Sequence, residues 1–262
     1  APKYWDNPYT EVYENTSRGY NQALYGSFVA SYKLLNGLKI NAIVRGNFTN
    51  NNGDSRVASY TLNTPRYSTF ANKFRETNTL LSADYERNFG EFSFRAAAFG
   101  ELMKQQAANE SAATNGGFIL PNVYNVSNSL NEKSASNSQS VRRVNSLYGY
   151  ISTGFRNMLF VDVNMRNDVS STLAKGNNSY IYGGVSTSFI FTELLSDKSI
   201  LSYGKLRASV ARVGTDVGAY NTQAVYGLGT NYVKPVGTGT ATYSSQTIPN
   251  QRPNANLEPT LS

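Results

Sequence analysis

The fold is decided by residues 24–48, LYGSFVASYKLLNGLKINAIVRGNF. Within 24–34 and again within 38–48, the even-numbered residues are apolar or small, and most odd-numbered residues are polar. This period of two is typical of a β-strand with one apolar face. Asn36-Gly37 stands between the two segments, and Asn-Gly is a strong signal for a tight hairpin turn. The stretch therefore predicts two antiparallel strands, each long enough to cross a bilayer when tilted.

The same alternation recurs in three further pairs of segments, so the sequence predicts eight antiparallel strands. The six additional strands are expected at about 77–89, 92–103, 144–155, 158–168, 180–191 and 201–213. Strands of about 11 to 13 residues are longer than the five or six residues usual in soluble sheets. The length and number of the strands favour an all-β membrane protein.

The connections between these strands alternate between short and long. Short connections are expected at 35–37, 90–91, 156–157 and 192–200. Long connections are expected at 50–76, 104–143 and 169–179, and a long tail at 214–262. Every other connection of an antiparallel meander lies at the same edge, so one rim carries turns and the other carries loops. Outer-membrane barrels have this asymmetry. We therefore expect residues 1–262 to form a segment of an antiparallel up-and-down transmembrane β-barrel.

The composition excludes several classes of function. The chain contains no Cys and no His, which excludes a disulfide framework, a Ser-His-Asp triad and an imidazole zinc site. We expect no catalytic residues, no metal and no cofactor. The net charge of +7 permits an anionic partner. The basic residues are scattered singly, with Arg142-Arg143 as the densest cluster, so we expect anionic lipid headgroups rather than nucleic acid.

The two faces of the strands predict two environments. In a membrane barrel the apolar face meets lipid and the polar face lines a wet lumen. The residues expected to face the lumen are Arg45, Asp84, Glu86, Arg95, Glu101, Asp162, Asn164 and Arg166. Tyrosines near strand ends are candidates for the aromatic girdles at the membrane interfaces, namely Tyr20, Tyr60, Tyr67, Tyr148, Tyr180 and Tyr203.

Five stretches, in this order and spacing, resemble the SusC/RagA family of TonB-dependent outer-membrane transporters of Bacteroidota. They are Asn7-Pro8-Tyr9 with the hairpin that follows, Pro121–Asn128, Met165–Leu173, Gly204–Val210 with Gly214, and Asn254–Pro259. The third stretch resembles an R-x-D-x-S-S strand end, and the fourth resembles an LKLRASYGxxGN strand. Each motif alone is weak, but together they extend over essentially the whole chain.

The resemblance implies a middle section of a plugged barrel of about 22 strands. It implies uptake of oligosaccharides or peptides across the outer membrane of a Gram-negative cell. Its expected partners are a SusD-like surface lipoprotein, outer-membrane lipid, and TonB acting through an N-terminal region with a plug that this sequence does not include. The lumen-facing residues would then hold water, contact the plug or touch the solute. The loops 50–76 and 104–143 are the expected contacts for ligand or lipoprotein.

Three other functions remain open at the level of the sequence. A passive porin or a secretion-system barrel has the same strand pattern, because the transport machinery lies outside these strands. A soluble extracellular glycan-binding domain is a less favoured alternative. An enzyme is the third: Asp84 and Glu86 share a strand face at about 7 Å, within the spacing of an inverting glycosidase pair.

Overall fold

The chain is an all-β protein built around one eight-stranded antiparallel sheet. The computed structural model describes residues 5–195, 201–222, 227–229, 232–236, 239–243, 245–248, 254 and 256–262. The sheet strands are β1 (Ser17–Leu35), β2 (Leu38–Val57), β3 (Arg66–Phe89), β4 (Phe92–Ala113), β5 (Ser134–Phe155), β6 (Leu159–Ser170), β7 (Ser179–Phe189) and β8 (Leu206–Arg212). They pair in chain order from β1 to β8, which confirms the predicted meander.

The remaining elements are short. One helix, α1 (Pro8–Tyr13), precedes β1, and 3₁₀ turns lie at Val126–Asn128 and Phe191–Leu194. The minor strands are β9 (Gly214–Thr215), β10 (Gly227–Leu228), β11 (Tyr232–Val236), β12 (Gly239–Tyr243), β13 (Gln246–Thr247) and β14 (Thr260–Leu261). They pair as β9 with β14, β10 with β13, and β11 with β12. Among the described residues, no helix combines the length and apolarity needed to span a membrane.

The first hairpin has the predicted register. Leu24 pairs with Phe48 and Phe28 with Val44, so the even-numbered residues of both strands share one face. The ladder closes at Leu35 and Leu38 around the Asn36-Gly37 turn. Gly37 has φ 88°, a left-handed conformation that glycine adopts without strain. Turn chemistry and the alternation of apolar residues therefore specify the same hairpin.

Strands β1 to β5 extend beyond the predicted bounds, which shortens the loops. The loop expected at 50–76 is reduced to residues 58–65, and the loop expected at 104–143 to residues 114–133. The added strand residues are rich in Asn, Ser and Thr, as in the pairing of Asn50–Ser55 with Ser17–Gln22. Their backbone groups are satisfied by the ladder although no apolar alternation marks them. Conversely, β8 begins at Leu206, later than expected, and residues 196–200 lie outside the described part of the chain.

The chain divides into two compact units. Unit 1 comprises Ala1–Ala83 and Gly100–Arg143, and unit 2 comprises Asp84–Phe99 and Val144–Ser262. Unit 1 contains β1, β2 and the loop-side parts of β3 to β5, whereas unit 2 contains the turn-side parts of β3 to β5 together with β6, β7 and β8. In unit 2, Arg156 Nε donates to Glu91 Oε2 at 2.7 Å, which ties two neighbouring turns together. That hydrogen bond raises the pKa of the Arg156 guanidinium.

One face of each unit is apolar and exposed. In unit 1 this face carries Leu24 and Phe28, which are 71% and 70% exposed. In unit 2 it carries Leu147, Met165 and Val210, also exposed. Several of the buried side chains are small or polar, such as Ser82, Ser146 and Thr172, so the sheet has no large apolar core among the described residues. An apolar face of this extent marks contact with lipid or with another protein.

Candidate functional site

The polar face of unit 2 gathers charged and aromatic side chains from three neighbouring strands. The register pairs Arg166 of β6 with Tyr148 of β5 on one side and with Tyr182 of β7 on the other. Two residues along β6, Asp168 pairs with Ser146 and Tyr180. Because side chains two residues apart share a face, the ladder alone brings these groups together. Arg166 and Asp168 belong to the R-x-D-x-S-S stretch identified in the sequence.

Asp168 is the centre of this network. Arg166 Nε donates to Asp168 Oδ1 at 2.8 Å, and Tyr182 Oη donates to Asp168 Oδ2 at 2.7 Å. The guanidinium also donates to Ser146 Oγ at 2.9 Å. The Asp168 residue is only 5% exposed, so its charge is compensated by an ion pair and by hydrogen bonds rather than by water.

Aromatic rings flank the network on the same face. The Phe99 and Tyr148 rings stack with centroids 4.7 Å apart at 8°, and the Tyr180 and Tyr182 rings stack at 5.8 Å. The Arg166 guanidinium lies 4.6 Å from the centroid of the Tyr148 ring. The result is a polar face with flat ring surfaces and fixed hydrogen-bonding groups. Such a surface can contact both the apolar and the polar parts of another molecule.

A second cluster lies where β6 ends. Ser170 Oγ and Thr172 Oγ1 both donate to Asp216 Oδ2, at 2.5 Å and 3.1 Å. Ser170 and Thr172 are each 1% exposed. Because Asp216 follows β9, these bonds attach the start of the C-terminal segment to the connection between β6 and β7. Their role in the fold is to position that segment.

The structure places the predicted lumen-facing residues on polar faces, but in two units. Glu86 and Arg95 form an exposed ion pair at 2.8 Å in unit 2. Asp162, in the same unit, accepts a long hydrogen bond of 3.4 Å from Ser186 Oγ. The remaining unit 2 residues are Asp84, Asn164 and Arg166, and the unit 1 residues are Arg45 and Glu101. Arg45 pairs with Ser27 across the first hairpin.

Several aromatic residues on the polar face of unit 2 were not predicted from the sequence. Tyr148 and Tyr180 were candidates for a membrane girdle, and the register places both on the polar face with Arg166 and Asp168. The parity of β5 could have shown it for Tyr148, since Leu147 and Ile151 occupy the other face. Tyr182 and Phe99 were not singled out at all. Their involvement depends on the register between strands, which the sequence of a single strand does not contain.

The loops of unit 1 form a second candidate region. Three contacts join the chain before β1, the loop 58–65 and the loop 114–133: Leu62 N donates to Asp6 Oδ1 at 2.7 Å, Asn122 N donates to Ser59 Oγ at 2.8 Å, and Ala58 N donates to Asn15 Oδ1 at 2.8 Å. The large apolar side chains exposed in these loops are Tyr60, Leu62, Ile119, Leu120, Val123 and Leu130. The loops therefore present a preformed and partly apolar surface.

The loop 114–133 is braced from within by Asn128. Its side chain accepts from Leu120 N at 3.0 Å and donates to Leu120 O at 2.8 Å and Val123 O at 2.7 Å. Asn125 caps the 3₁₀ turn through a bond of 2.8 Å from Ser127 N.

In the part of the chain that the structure describes, no group of three or more carboxylates could hold a metal ion.

Comparison with known proteins identifies the fold. No family model and no curated protein matches the sequence. Among solved structures, a chain of the RagAB peptide transporter superimposes with a TM-score of 0.78 at 18% identity, over 94% of this chain and 28% of that chain. The RagAB peptide importer in its closed-closed state gives a TM-score of 0.70 at 17% identity, over 94% and 27% of the two chains. In the open-open state the values are 0.68, 17%, 89% and 26%.

These similarities concern the fold of part of a larger architecture. This chain spans 26% to 28% of the length of the chains it matches. The structural neighbours are transport proteins rather than enzymes.

Proposed function

We propose that this chain forms part of the barrel wall of a SusC-like, TonB-dependent outer-membrane importer that takes up peptides or oligosaccharides with a SusD-like lipoprotein. The observation that carries the proposal is the superposition of 94% of the chain on the RagAB peptide transporter. The five sequence stretches that resemble the SusC/RagA family support the same conclusion independently.

The exposed apolar face supports a position in a membrane. On β1 this face extends from Leu24 to Leu34. Ten residue steps span about 33 Å along a strand, and about 25 Å across a bilayer once a barrel tilt of about 40° is included. This matches the apolar band of outer-membrane barrels. Beyond Leu24 the same face continues with Gln22, which pairs with Asn50, so its character becomes polar at the expected height.

The polar faces then line the water-filled interior. Asp168 holds the Arg166 guanidinium against the Tyr148 ring, so this part of the wall presents a fixed surface to solute or plug. In unit 1 the rim is formed by the loops 58–65 and 114–133, which are the expected contacts for ligand and lipoprotein. The driving force would come from TonB pulling on a plug outside this sequence, and the wall contributes no chemistry of its own.

Uptake measured in the native bacterium tests the proposal. We expect deletion of the gene to abolish uptake of fluorescent peptides or oligosaccharides, and re-expression to restore it. A proton uncoupler should stop uptake in the wild type, because TonB uses the inner-membrane proton gradient. Uptake that persists with the uncoupler would identify a passive pore. Recovery of the protein only in the soluble fraction would contradict the membrane position altogether.

A second measurement concerns the partner. Affinity purification of the tagged protein in mild detergent should retain a surface lipoprotein. Replacing Leu120 and Leu130, both 60% exposed in the loop 114–133, with Ser should weaken that retention if this loop forms the contact. The matched control is Leu81→Ser on the apolar face of β3, which is exposed to a similar extent but lies away from the loops. Equal retention by all variants would exclude this loop as the contact.

A further inference from the structure

We propose that a cluster of cations at the loop-side border of the apolar face binds the phosphate groups of an anionic lipid in the outer leaflet. This basic border consists of Lys73 and Arg75 of β3, Lys104 of β4 and Arg143 of β5, all in unit 1. The inference rests on the proposed membrane position of the sheet. It adds a specific lipid site, which neither the fold nor the transport function requires.

The contacts on the opposite face fix the direction of these side chains. Glu76 and Gln105 meet on the polar face, where Gln105 Nε2 donates to Glu76 Oε2 at 2.6 Å. Arg142 reaches the same Gln105 through a bond of 3.3 Å. Because neighbouring residues of a strand point to opposite faces, Arg75, Lys104 and Arg143 lie on the apolar face of three adjacent strands.

The border follows directly after the apolar band. Leu102 lies two residues from Lys104 on the same face of β4 and is 58% exposed. Leu24 and Phe48 end the band on β1 and β2, and the Arg75 guanidinium lies 5.9 Å from the centroid of the Phe48 ring. The cations therefore stand where the headgroups of a bilayer would begin.

A groove crosses this border. Its volume is about 450 Å³, and its lining joins the apolar Leu24 and Phe48 with Gln22, Asn50, Lys73 and Arg75. The groove thus combines alkyl and aromatic surface for an acyl chain with two cations and two amides for a headgroup. This combination fits an amphipathic anion better than free phosphate, which gains nothing from the apolar surface.

Three of the four cations of the basic border have no ion pair among the described residues. In the described residues, no ion pair joins Lys73, Arg75 or Lys104 to a carboxylate. Like charges at two-residue spacing repel each other unless an anion lies between them. Arginine binds phosphate oxygens in a bidentate geometry, and lysine adds a point charge. At the turn-side part of β3, the same alternating face carries Arg87, whose guanidinium lies 5.3 Å from the Phe89 ring centroid.

Native mass spectrometry of the detergent-purified, full-length protein tests the site. The probes are monophosphoryl lipid A, its dephosphorylated form, and inorganic phosphate. The test variant carries Lys73→Gln, Arg75→Gln, Lys104→Gln and Arg143→Gln, and the matched control is Arg87→Gln on the same face of β3. We expect wild type and control to retain the phosphorylated lipid, and the test variant to bind it more weakly by about five-fold per cation removed.

The outcomes separate this inference from the proposed function. Unchanged lipid binding by a test variant that remains in the outer membrane with normal heat-modifiable mobility overturns the lipid site and leaves the importer proposal intact. Equal binding of phosphorylated and dephosphorylated lipid overturns it as well. Competition by millimolar phosphate without any dependence on acyl chains would identify a phosphate site instead of a lipid site. Absence of the wild-type protein from the outer membrane contradicts both proposals.

Discussion

Different side-chain contacts link the strands on the polar face of unit 1 and on the polar face of unit 2. In unit 1, Ser31 Oγ donates to Asn41 Oδ1 at 2.8 Å, and Asn41 Nδ2 donates to Ser82 Oγ at 3.0 Å, so neutral groups link three strands. In unit 2 an ion pair links the strands instead, with the buried Asp168 bound by the partly exposed Arg166 and by Tyr182. A neutral polar group can replace its protein partner by water at little cost, whereas a buried charge loses much more when its partner is removed.

This difference predicts that the two polar faces differ in rigidity. We expect the face of unit 2 to keep a single arrangement, because a rearrangement would leave the buried Asp168 carboxylate without compensation. We expect the face of unit 1 to adjust locally with a smaller loss of stability. The wall proposed above would then combine a rigid surface in unit 2 with an adaptable one in unit 1.

The largest effect is expected for Asp168→Asn. This change removes the carboxylate to which Nε of the Arg166 side chain, 32% exposed, donates. Breaking a fully buried pair costs about 3–5 kcal/mol, and for this partly exposed pair we expect about 2–4 kcal/mol of unfolding free energy. Urea titration in detergent, followed by heat-modifiable mobility, measures it. The control is Asp162→Asn, six residues earlier on the same face of β6, and equal losses from both variants would contradict the special role of Asp168.

The next largest effect is expected for Asn128→Ala in the loops of unit 1. The change removes the side-chain oxygen that accepts from Leu120 N and the side-chain nitrogen that donates to Leu120 O and Val123 O. Leaving these groups without partners should cost about 1–3 kcal/mol, confined to the loop. Limited proteolysis should show faster cleavage between residues 114 and 133 with unchanged cleavage elsewhere. Glu132→Ala, an exposed position of the same loop, should cleave as the wild type does.

Tyr182→Phe tests the hydroxyl contribution to the unit 2 network. It removes the 2.7 Å bond to Asp168 but keeps the ring and its stacking on Tyr180. We expect a loss of about 1–2 kcal/mol, smaller than that of Asp168→Asn because the ion pair remains. Tyr150→Phe is the control, since that ring also lies on the polar face and contacts Phe99. If the two variants unfold at the same urea concentration, the network does not depend on the hydroxyl.

The sequence predicted the strands and their two faces, but not the full length over which the strands pair. Alternation of apolar and polar residues marks only the parts of a strand whose two faces differ in polarity, so it located residues 24–34 and 38–48. Beyond Phe48 both faces are polar, and Asn50-Asn51-Asn52-Gly53 carries turn-forming residues although the backbone continues in β2. Backbone pairing satisfies these residues in the structure, and a single strand gives no sign of its partner.

The site was predictable to the same extent. Parity placed Arg166, Glu86 and Arg95 on polar faces from the sequence alone. The contact between Phe99 and Tyr148 was not predictable, because β4 and β5 are joined by a loop and their register depends on where both strands end. The R-x-D-x-S-S stretch marked Asp168 and Ser170 as part of a family pattern. It did not show that Tyr182 completes the shell around Asp168.

The smallest effect is expected for Glu86→Gln, which sharpens the comparison within unit 2. The Glu86–Arg95 pair has nearly the same N–O distance as the Arg166–Asp168 pair, 2.8 Å in both. The side chains of Glu86 and Arg95 are 65% and 56% exposed, however, whereas that of Asp168 is 7% exposed. Water and salt screen an exposed pair, so we expect no measurable change in the urea midpoint at 0.15 M salt and a small one at low salt. A loss as large as that of Asp168→Asn would mean that distance, not burial, sets the strength of these pairs, and the distinction between a rigid and an adaptable face would lose its physical basis.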